Sequence, residues 1–189
     1  MRWPEFHLRS LFRWSCIVLD IMTNPSLPSR RLTRAVWHQY NEGLFFITAC
    51  THLKKHCFGS VRNDVMELNG AGRILDKCIK DIPCHYPDAE VHAHVVMPNH
   101  FHILLHIKGP FASYKEEYIR KFGCQNSRLS AIIGSIKAAA SRSIRMNGGE
   151  IKWQRSFHDH IVRGFEEYQR IAYYIETNPQ NWLTDCFAQ

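Results

Sequence analysis

The stretch HVVMPNHFHILL, residues 94–105, contains two histidines, His100 and His102, that are separated by one residue. The aliphatic residues that follow predict a buried β-strand. Side chains on a strand alternate between its faces, so both imidazoles should point to one face while Phe101 points to the other. Two imidazoles about 7 Å apart along a strand can bind one cation, although such a pair is also common in purely structural roles. A turn at Met97-Pro98-Asn99 puts the pair near a strand end, where a site can open to a substrate.

Hydrophobic periodicity along the chain predicts four strands and three helices. In chain order these are strand 43–51, helix 71–82, strands 90–97 and 101–108, helix 127–147, strand 157–162 and helix 166–178. This order is typical of an α+β protein with a ferredoxin-like antiparallel sheet, helices on one face and an added C-terminal helix. The hairpin of the second and third strands should lie at the centre of the sheet and expose the two histidines on one face.

The composition is that of a globular domain with a basic surface. The chain has 189 residues and a formal net charge of +7, which suits one domain with a polyanionic partner. Seven cysteines without a Cys-x-x-Cys pair favour reduced thiols in the cytoplasm, and no apolar run is long enough to span a membrane.

We expect residues 40–185 to form the domain. We expect residues 1–39 to be an N-terminal extension that is either flexible or the product of a misassigned start, with Met22 as the alternative initiator.

The predicted C-terminal helix presents a phenol and an amide side by side. Its apolar stripe consists of Tyr168, Ile171, Ala172 and Ile175. Tyr174 lies at the flank of this stripe, and Asn178 is four residues further on, so the two side chains are neighbours on one face. A nucleophilic tyrosine and an amide oxygen as third ligand could complement two histidines that bind a metal. The structural alternative is a half-buried tyrosine followed by an asparagine that caps the helix before a proline.

Four stretches of this chain resemble one protein family. They are GLFFITACTHLKKHCFG (43–59), VHAHVVMPNHFHILLHI (91–107), KWQRSFHDHIVR (152–163) and EEYQRIAYYIETNPQNW (166–182). In order and spacing they resemble the REP-associated tyrosine transposases, which belong to the single-tyrosine branch of the HUH transposases. The resemblance covers most of residues 40–185, whereas residues 109–126 and the first forty residues carry no motif that aligns.

The resemblance implies a role for each of the residues singled out above. It implies that His100 and His102 bind a metal, that Asn178 is the third ligand and that Tyr174 is the catalytic nucleophile. Because Tyr173 would pair with Thr177 at the i+4 position, the helical spacing also selects Tyr174 over Tyr173. Family members cut single-stranded DNA through a covalent 5′-phosphotyrosine and act on repeats that form hairpins. A mixed nitrogen and oxygen ligand set suits Mg²⁺ or Mn²⁺.

Single-stranded DNA should be bound by basic side chains that contact phosphates and by aromatic rings that stack on bases. The candidates are Lys137, Arg142, Trp153, Arg155, Phe157, His160 and Arg163. Each of them also fits a role as a solvated charge or a core aromatic. Two other functions remain open, a domesticated protein that binds hairpin DNA without cutting it and an HUH endonuclease of another branch. A homodimer that places the tyrosine helix of one chain in the site of its partner also remains open.

Overall fold

The computed structural model describes residues 40–109, 127–185 and 187–188, so the predictions for residues 1–39 and for the loop at 110–126 lie outside the described residues. The strands are β1 (Gly43–Cys50), β2 (Gly59–Arg62), β3 (Val65–Leu68), β4 (Ala89–Val96), β5 (His100–Ile107) and β6 (His158–Ile161). The α-helices are α1 (Gly70–Lys80), α2 (Ile82–His85), α3 (Arg128–Met146) and α4 (Phe165–Thr177). Two 3₁₀ segments, His52–Lys54 and Asn178–Thr184, follow β1 and α4.

The main sheet has four antiparallel strands in the order β4-β5-β1-β6, and β2 pairs with β3 in a separate hairpin. This is the ferredoxin-like order, and the prediction of an α+β fold with an antiparallel sheet is confirmed. The predicted position of the β4–β5 hairpin was wrong in one respect, because β4 is an edge strand and β1 lies beside β5 at the centre. The burial of the strands explains the difference. The last six residues of β1 are all buried, as in a strand covered on both faces, whereas Glu90 and His92 of β4 are exposed.

Hydrophobic residues cover both faces of the sheet, and each face packs against different helices. On one face, α1 and α3 bury Leu75 and Ile133 against Phe45 and Phe101. On the opposite face, α4 packs against Phe46 and Leu104 in a smaller cluster. The added C-terminal helix therefore packs on the face to which the two histidines point.

Local signals explain where α3 begins and ends, and why α1 has a glycine in its first turn. The side chain of Ser127 accepts a hydrogen bond from the Ser130 N–H and caps α3, while Gly148 has φ +77° just beyond its end. Gly72, which interrupts the helical pattern in the sequence, lies in the first turn of α1. A Cβ there would approach the Phe58 carbonyl oxygen to 2.2 Å, so only glycine fits.

Within the described part of the chain, no helix is both long enough and apolar enough to cross a membrane.

The turn before β5 is anchored by hydrogen bonds to residues 51–58, the segment between β1 and β2. The N–H groups of Cys57 and Phe58 both donate to the Pro98 carbonyl, at 2.8 and 3.0 Å. Thr51 donates twice to the Asn99 carbonyl, from its backbone N–H and from Oγ1. These bonds satisfy the polar groups of a buried turn and fix the point at which β5 begins, and so the position of the first histidine.

Candidate active site

The side chains of His100 and His102 converge on the face predicted by strand alternation. Their Nε2 atoms lie 3.1 Å apart. With metal–nitrogen bonds of about 2.1 Å, this distance corresponds to an angle of roughly 95° at a shared ion, close to the right angle of octahedral coordination. The predicted exposure of the pair was wrong, because the residues are 0% and 1% exposed.

The other ring nitrogen of each histidine has a hydrogen-bond partner that orients the ring. His100 Nδ1 donates to Asn99 Oδ1 at 2.8 Å, and His102 Nδ1 lies 2.7 Å from Thr48 Oγ1. The orientation of the Asn99 amide is fixed, because its nitrogen donates to the backbone carbonyls of Phe187 and Lys54. With Nδ1 protonated, each Nε2 presents a lone pair, and a cation between the two nitrogens offsets the repulsion between these lone pairs.

Burial keeps both imidazoles neutral at physiological pH. Burial lowers the pKa of His102 to about 3, although a hydrogen bond with the backbone of Ile47 opposes part of this shift. Burial also lowers the pKa of His100 well below its ordinary value, and the nearby His102, Lys54 and His56 lower it further. Because a neutral imidazole is the form that binds metals, protons do not compete for these nitrogens near neutrality.

A carboxylate that the sequence analysis missed lies beside the pair. Asp185 has an oxygen within 4.8 Å of the ring nitrogens of His100 and His102. Its Oδ2 accepts from Asn178 Nδ2 at 3.3 Å, and its Oδ1 accepts from the Phe187 N–H at 2.9 Å. Two imidazoles and a carboxylate form a donor set that suits Mn²⁺. In the sequence, the signal that could have indicated this ligand is an acidic residue that lies seven residues after Asn178, directly beyond the 3₁₀ segment.

Asn178, the predicted third ligand, is buried beside the carboxylate. It is 1% exposed, and its Oδ1 has no hydrogen-bond partner among the described residues. An unpartnered buried carbonyl costs about 1–3 kcal/mol, which a bound cation or a water coordinated to one would offset. The donor set therefore fits a divalent cation. The histidines supply nitrogen, while Asp185 and Asn178 are the two candidate sources of oxygen.

Tyr174 packs against the same histidine pair. Its ring lies 5.3 Å from the ring of His102, in an edge-on arrangement at 61°, and 6.0 Å from that of Phe46. Tyr173 is 59% exposed. Of the two tyrosines, Tyr174 is the one that lies beside the histidines. In this chain, α4 places its tyrosine beside the chain's own histidines.

A bacterial relative matches most of the chain. The chain is 31% identical over 172 residues to an uncharacterised protein of Haemophilus influenzae, a match that covers 86% of this chain and 94% of that protein. The two proteins belong to one family. No protein-family model matches the chain.

One solved structure identifies the fold. The structure of a REP-associated tyrosine transposase bound to a REP hairpin superposes with a TM-score of 0.53 at 18% identity, over 82% of this chain and 74% of that one. This chain has the REP-associated tyrosine transposase fold. A structure from Deinococcus radiodurans matches 80% of this chain and 98% of its own length at 15% identity, with a TM-score of 0.38.

In this transposase fold, the segment after α4 covers the histidine pair. The ring of Phe187 lies 4.4 Å from that of His100, and the Trp182 ring stacks on His100 at 6.0 Å. Phe187 is 2% exposed, and its carbonyl accepts from Asn99 Nδ2 at 2.6 Å. The two rings cover the histidines, which are therefore closed to solvent in this structure.

Lys137, Trp153 and Phe157, three of the predicted DNA-binding residues, pack on the opposite face of the sheet. The ammonium of Lys137 donates to the backbone carbonyls of Gln154 and Ser156, at 3.1 and 2.8 Å. Trp153 packs against Phe101, and Phe157 joins the cluster beneath α1 and α3. The fold does not bring these three residues to the histidine pair, and their contacts give each of them a structural role.

His160 and Arg163 are brought together where β6 meets α4. His160 Nε2 lies 2.8 Å from Glu167 Oε1, and the Arg163 N–H donates to the other oxygen of that carboxylate. Both residues line an open cavity of about 750 Å³ that also includes Arg170. The two remaining basic candidates, Arg142 and Arg155, are exposed.

Proposed function

We propose that this protein is a metal-dependent transposase that nicks and joins single-stranded DNA through a 5′-phosphotyrosine, and that residues 40–185 form its catalytic domain. The observation that carries the proposal is the contact between the Tyr174 ring and His102, whose Nε2 lies 3.1 Å from that of His100. A binding protein has no need for a phenol against two converging imidazoles. This combination supports nucleophilic attack next to a bound cation.

The metal would be held by both Nε2 atoms together with an oxygen of Asp185 or Asn178. When bound, Mg²⁺ or Mn²⁺ supplies positive charge that offsets the negative charge of the phosphodiester and of the departing oxygen. Imidazole ligands favour Mn²⁺ over Mg²⁺. Thr48 and Asn99 keep the two nitrogens aimed at the ion through the opposite side of each ring.

Tyr174 would perform the covalent step. Its phenolic oxygen loses a proton and attacks phosphorus, so that an O–P bond forms while the bond from phosphorus to the 3′ oxygen breaks. The 3′ oxygen leaves and takes up a proton, and the 5′ end remains bound to Tyr174. Because the phosphotyrosine conserves the energy of the broken bond, attack by another 3′-hydroxyl joins two strands by the reverse reaction. The packing of α4 on the sheet holds the phenol close to the imidazoles and reduces the entropy lost at this step.

Hairpin-forming repeats are the substrate that we propose. The net charge of +7 and the exposed Arg142, Arg155 and Arg163 provide cations for the DNA backbone. The solved transposase of the same fold is described as bound to a REP hairpin. The first experiment incubates the protein with labelled single-stranded hairpins from the flanks of its own gene and Mn²⁺ or Mg²⁺. A protein–DNA adduct that survives denaturation is the expected product.

The neighbouring tyrosine offers a matched control. Tyr174→Phe should abolish the adduct, whereas Tyr173→Phe should retain it, because Tyr173 is exposed on α4. EDTA should also abolish it. If the adduct persists in Tyr174→Phe, Tyr174 is not the nucleophile.

A second candidate function, hairpin binding without cleavage, is favoured by the burial of the histidines under Phe187 and Trp182. Tight hairpin binding with no adduct under either metal would support this function. The same assay therefore distinguishes the two candidates.

A further inference from the structure

A second group of metal-binding side chains lies at the other end of β5. Glu90 and His92 of β4 and His106 of β5 each offer a ligand atom, and these atoms all lie within 4.8 Å of one another. His106 is four residues beyond His102 on the same strand, which corresponds to about 13 Å. The two groups are too far apart to share one ion.

The strand pairing of β4 and β5 brings these three donors together. Glu90 is the direct antiparallel partner of His106. A shift of register between Val91 and Ala93 inserts His92 as an extra residue in the edge strand. Three donors from two adjacent strands therefore occupy one patch of the sheet.

Aromatic contacts fix the orientation of the His92 ring. It lies edge-on to the His106 ring at 5.6 Å and edge-on to Tyr168 of α4 at 5.6 Å. Tyr168 in turn stacks on Phe165 at 6.2 Å. A ring held on two sides loses less conformational entropy when it binds an ion.

The charge and exposure of the patch also suit a cation. Glu90 and His92 are exposed and His106 is half-buried, so an ion can enter from solvent. Lys108 Nζ lies 2.7 Å from Glu90 Oε2 at the edge of the patch. The carboxylate of Glu90 therefore already attracts one cation, the ammonium of Lys108. A metal ion would compete with this ammonium for the carboxylate.

We propose that Glu90, His92 and His106 form a second site for a divalent transition-metal ion, for which Zn²⁺ is the probe. Two imidazoles and one carboxylate are a ligand set that zinc accepts, with a fourth position left for water. The bound ion links the edge strand to β5 and, through the contact of His92 with Tyr168, stabilises the start of α4. This site is independent of the proposed DNA chemistry, because it contains none of the residues at the first site.

The test is a zinc titration of chelator-treated protein in which the first site is disabled by His102→Gln. This variant should bind one equivalent of Zn²⁺, and the addition of His92→Gln should weaken that binding at least tenfold. His85→Gln, an exposed histidine of α2 outside both groups, should leave it unchanged. Lys108→Gln should tighten binding, because it removes the competing cation. Cobalt titration provides a second readout, since the visible absorption of Co²⁺ reports its ligands.

The titration also excludes binding by cysteine thiols. Zinc held by thiols would be insensitive to His92→Gln, so equal binding in the two variants overturns the proposal. Failure of His102→Gln protein to bind any zinc overturns it as well. Should His102→Gln fail to fold, the same comparison is made with otherwise wild-type protein. There, His92→Gln should reduce the stoichiometry by one equivalent, and no reduction refutes the site.

Discussion

Thr48 should control metal affinity although it would not touch the metal. Its Oγ1 lies 2.7 Å from His102 Nδ1, and the residue is 3% exposed. Thr48→Val removes this hydrogen bond while it preserves the volume and the β-branched shape that suit a central strand. Loss of such an outer partner typically weakens metal binding 10- to 100-fold, or about 1.4–2.8 kcal/mol. Because the backbone of Ile47 still contacts the imidazole, the lower end applies, and we expect about a tenfold loss.

The assay for this prediction is calorimetric titration of metal-free protein with Mn²⁺, with Thr48→Ser as the matched control. Serine keeps the hydroxyl and removes only a methyl group, so Thr48→Ser should bind Mn²⁺ nearly as tightly as the wild type. Circular dichroism checks that all three proteins are folded. If Thr48→Val binds Mn²⁺ with wild-type affinity, the hydroxyl does not orient His102, and the assignment of its Nε2 as a ligand loses its support.

Three further predictions concern the same site. Asp185→Asn should weaken Mn²⁺ binding at least tenfold in the same titration, because an amide replaces a carboxylate ligand; unchanged affinity would leave Asn178 as the oxygen donor. Phe187→Ala removes the ring above His100 and should increase the rate of adduct formation in the hairpin assay, and an unchanged rate would show that this ring does not limit access. The pKa of about 3 for His102 means that the unfolded state binds protons more readily, so stability should be lost as pH falls below about 6.5. By pH 5.5 the free energy of unfolding of metal-free protein should have fallen by about 1.4 kcal/mol for this residue, as denaturant titrations can measure, and His102→Gln should lack this contribution.

The parts of the site that follow from one element were predictable from the sequence. Strand alternation placed His100 and His102 on one face, because a period of two holds along any regular strand. Helical spacing placed Tyr174, and not Tyr173, beside Asn178 for a similar reason. The first prediction needed only the geometry of a single strand, whereas the choice of Tyr174 as nucleophile also rested on the role that the resemblance implies for Asn178 and stays a prediction.

The features that were missed depend on contacts between distant parts of the chain. Asp185 reaches the histidines because a 3₁₀ segment turns the chain back after α4, and no periodicity reports the direction of such a segment. The same return covers the pair with Phe187, which is why the expected exposure was wrong. Lys137 looked like a phosphate ligand, yet its ammonium donates to two backbone carbonyls. The sequence pattern does not distinguish a helical lysine that binds phosphate from one that donates to backbone carbonyls.

Helix α4 carries Tyr174 on its flank and buries Ile171 and Ile175 against Phe46 and Leu104. Loss of α4 would therefore remove the tyrosine and also uncover an apolar face of the sheet, which destabilises the fold. A lineage that dispenses with the proposed DNA cleavage and keeps the folded protein should therefore substitute Tyr174 and retain the helix. In the descendants of such a lineage, the residue at position 174 should vary, whereas Ile171 and Ile175 should remain under purifying selection. The flank and the buried face of α4 would then be conserved to different degrees.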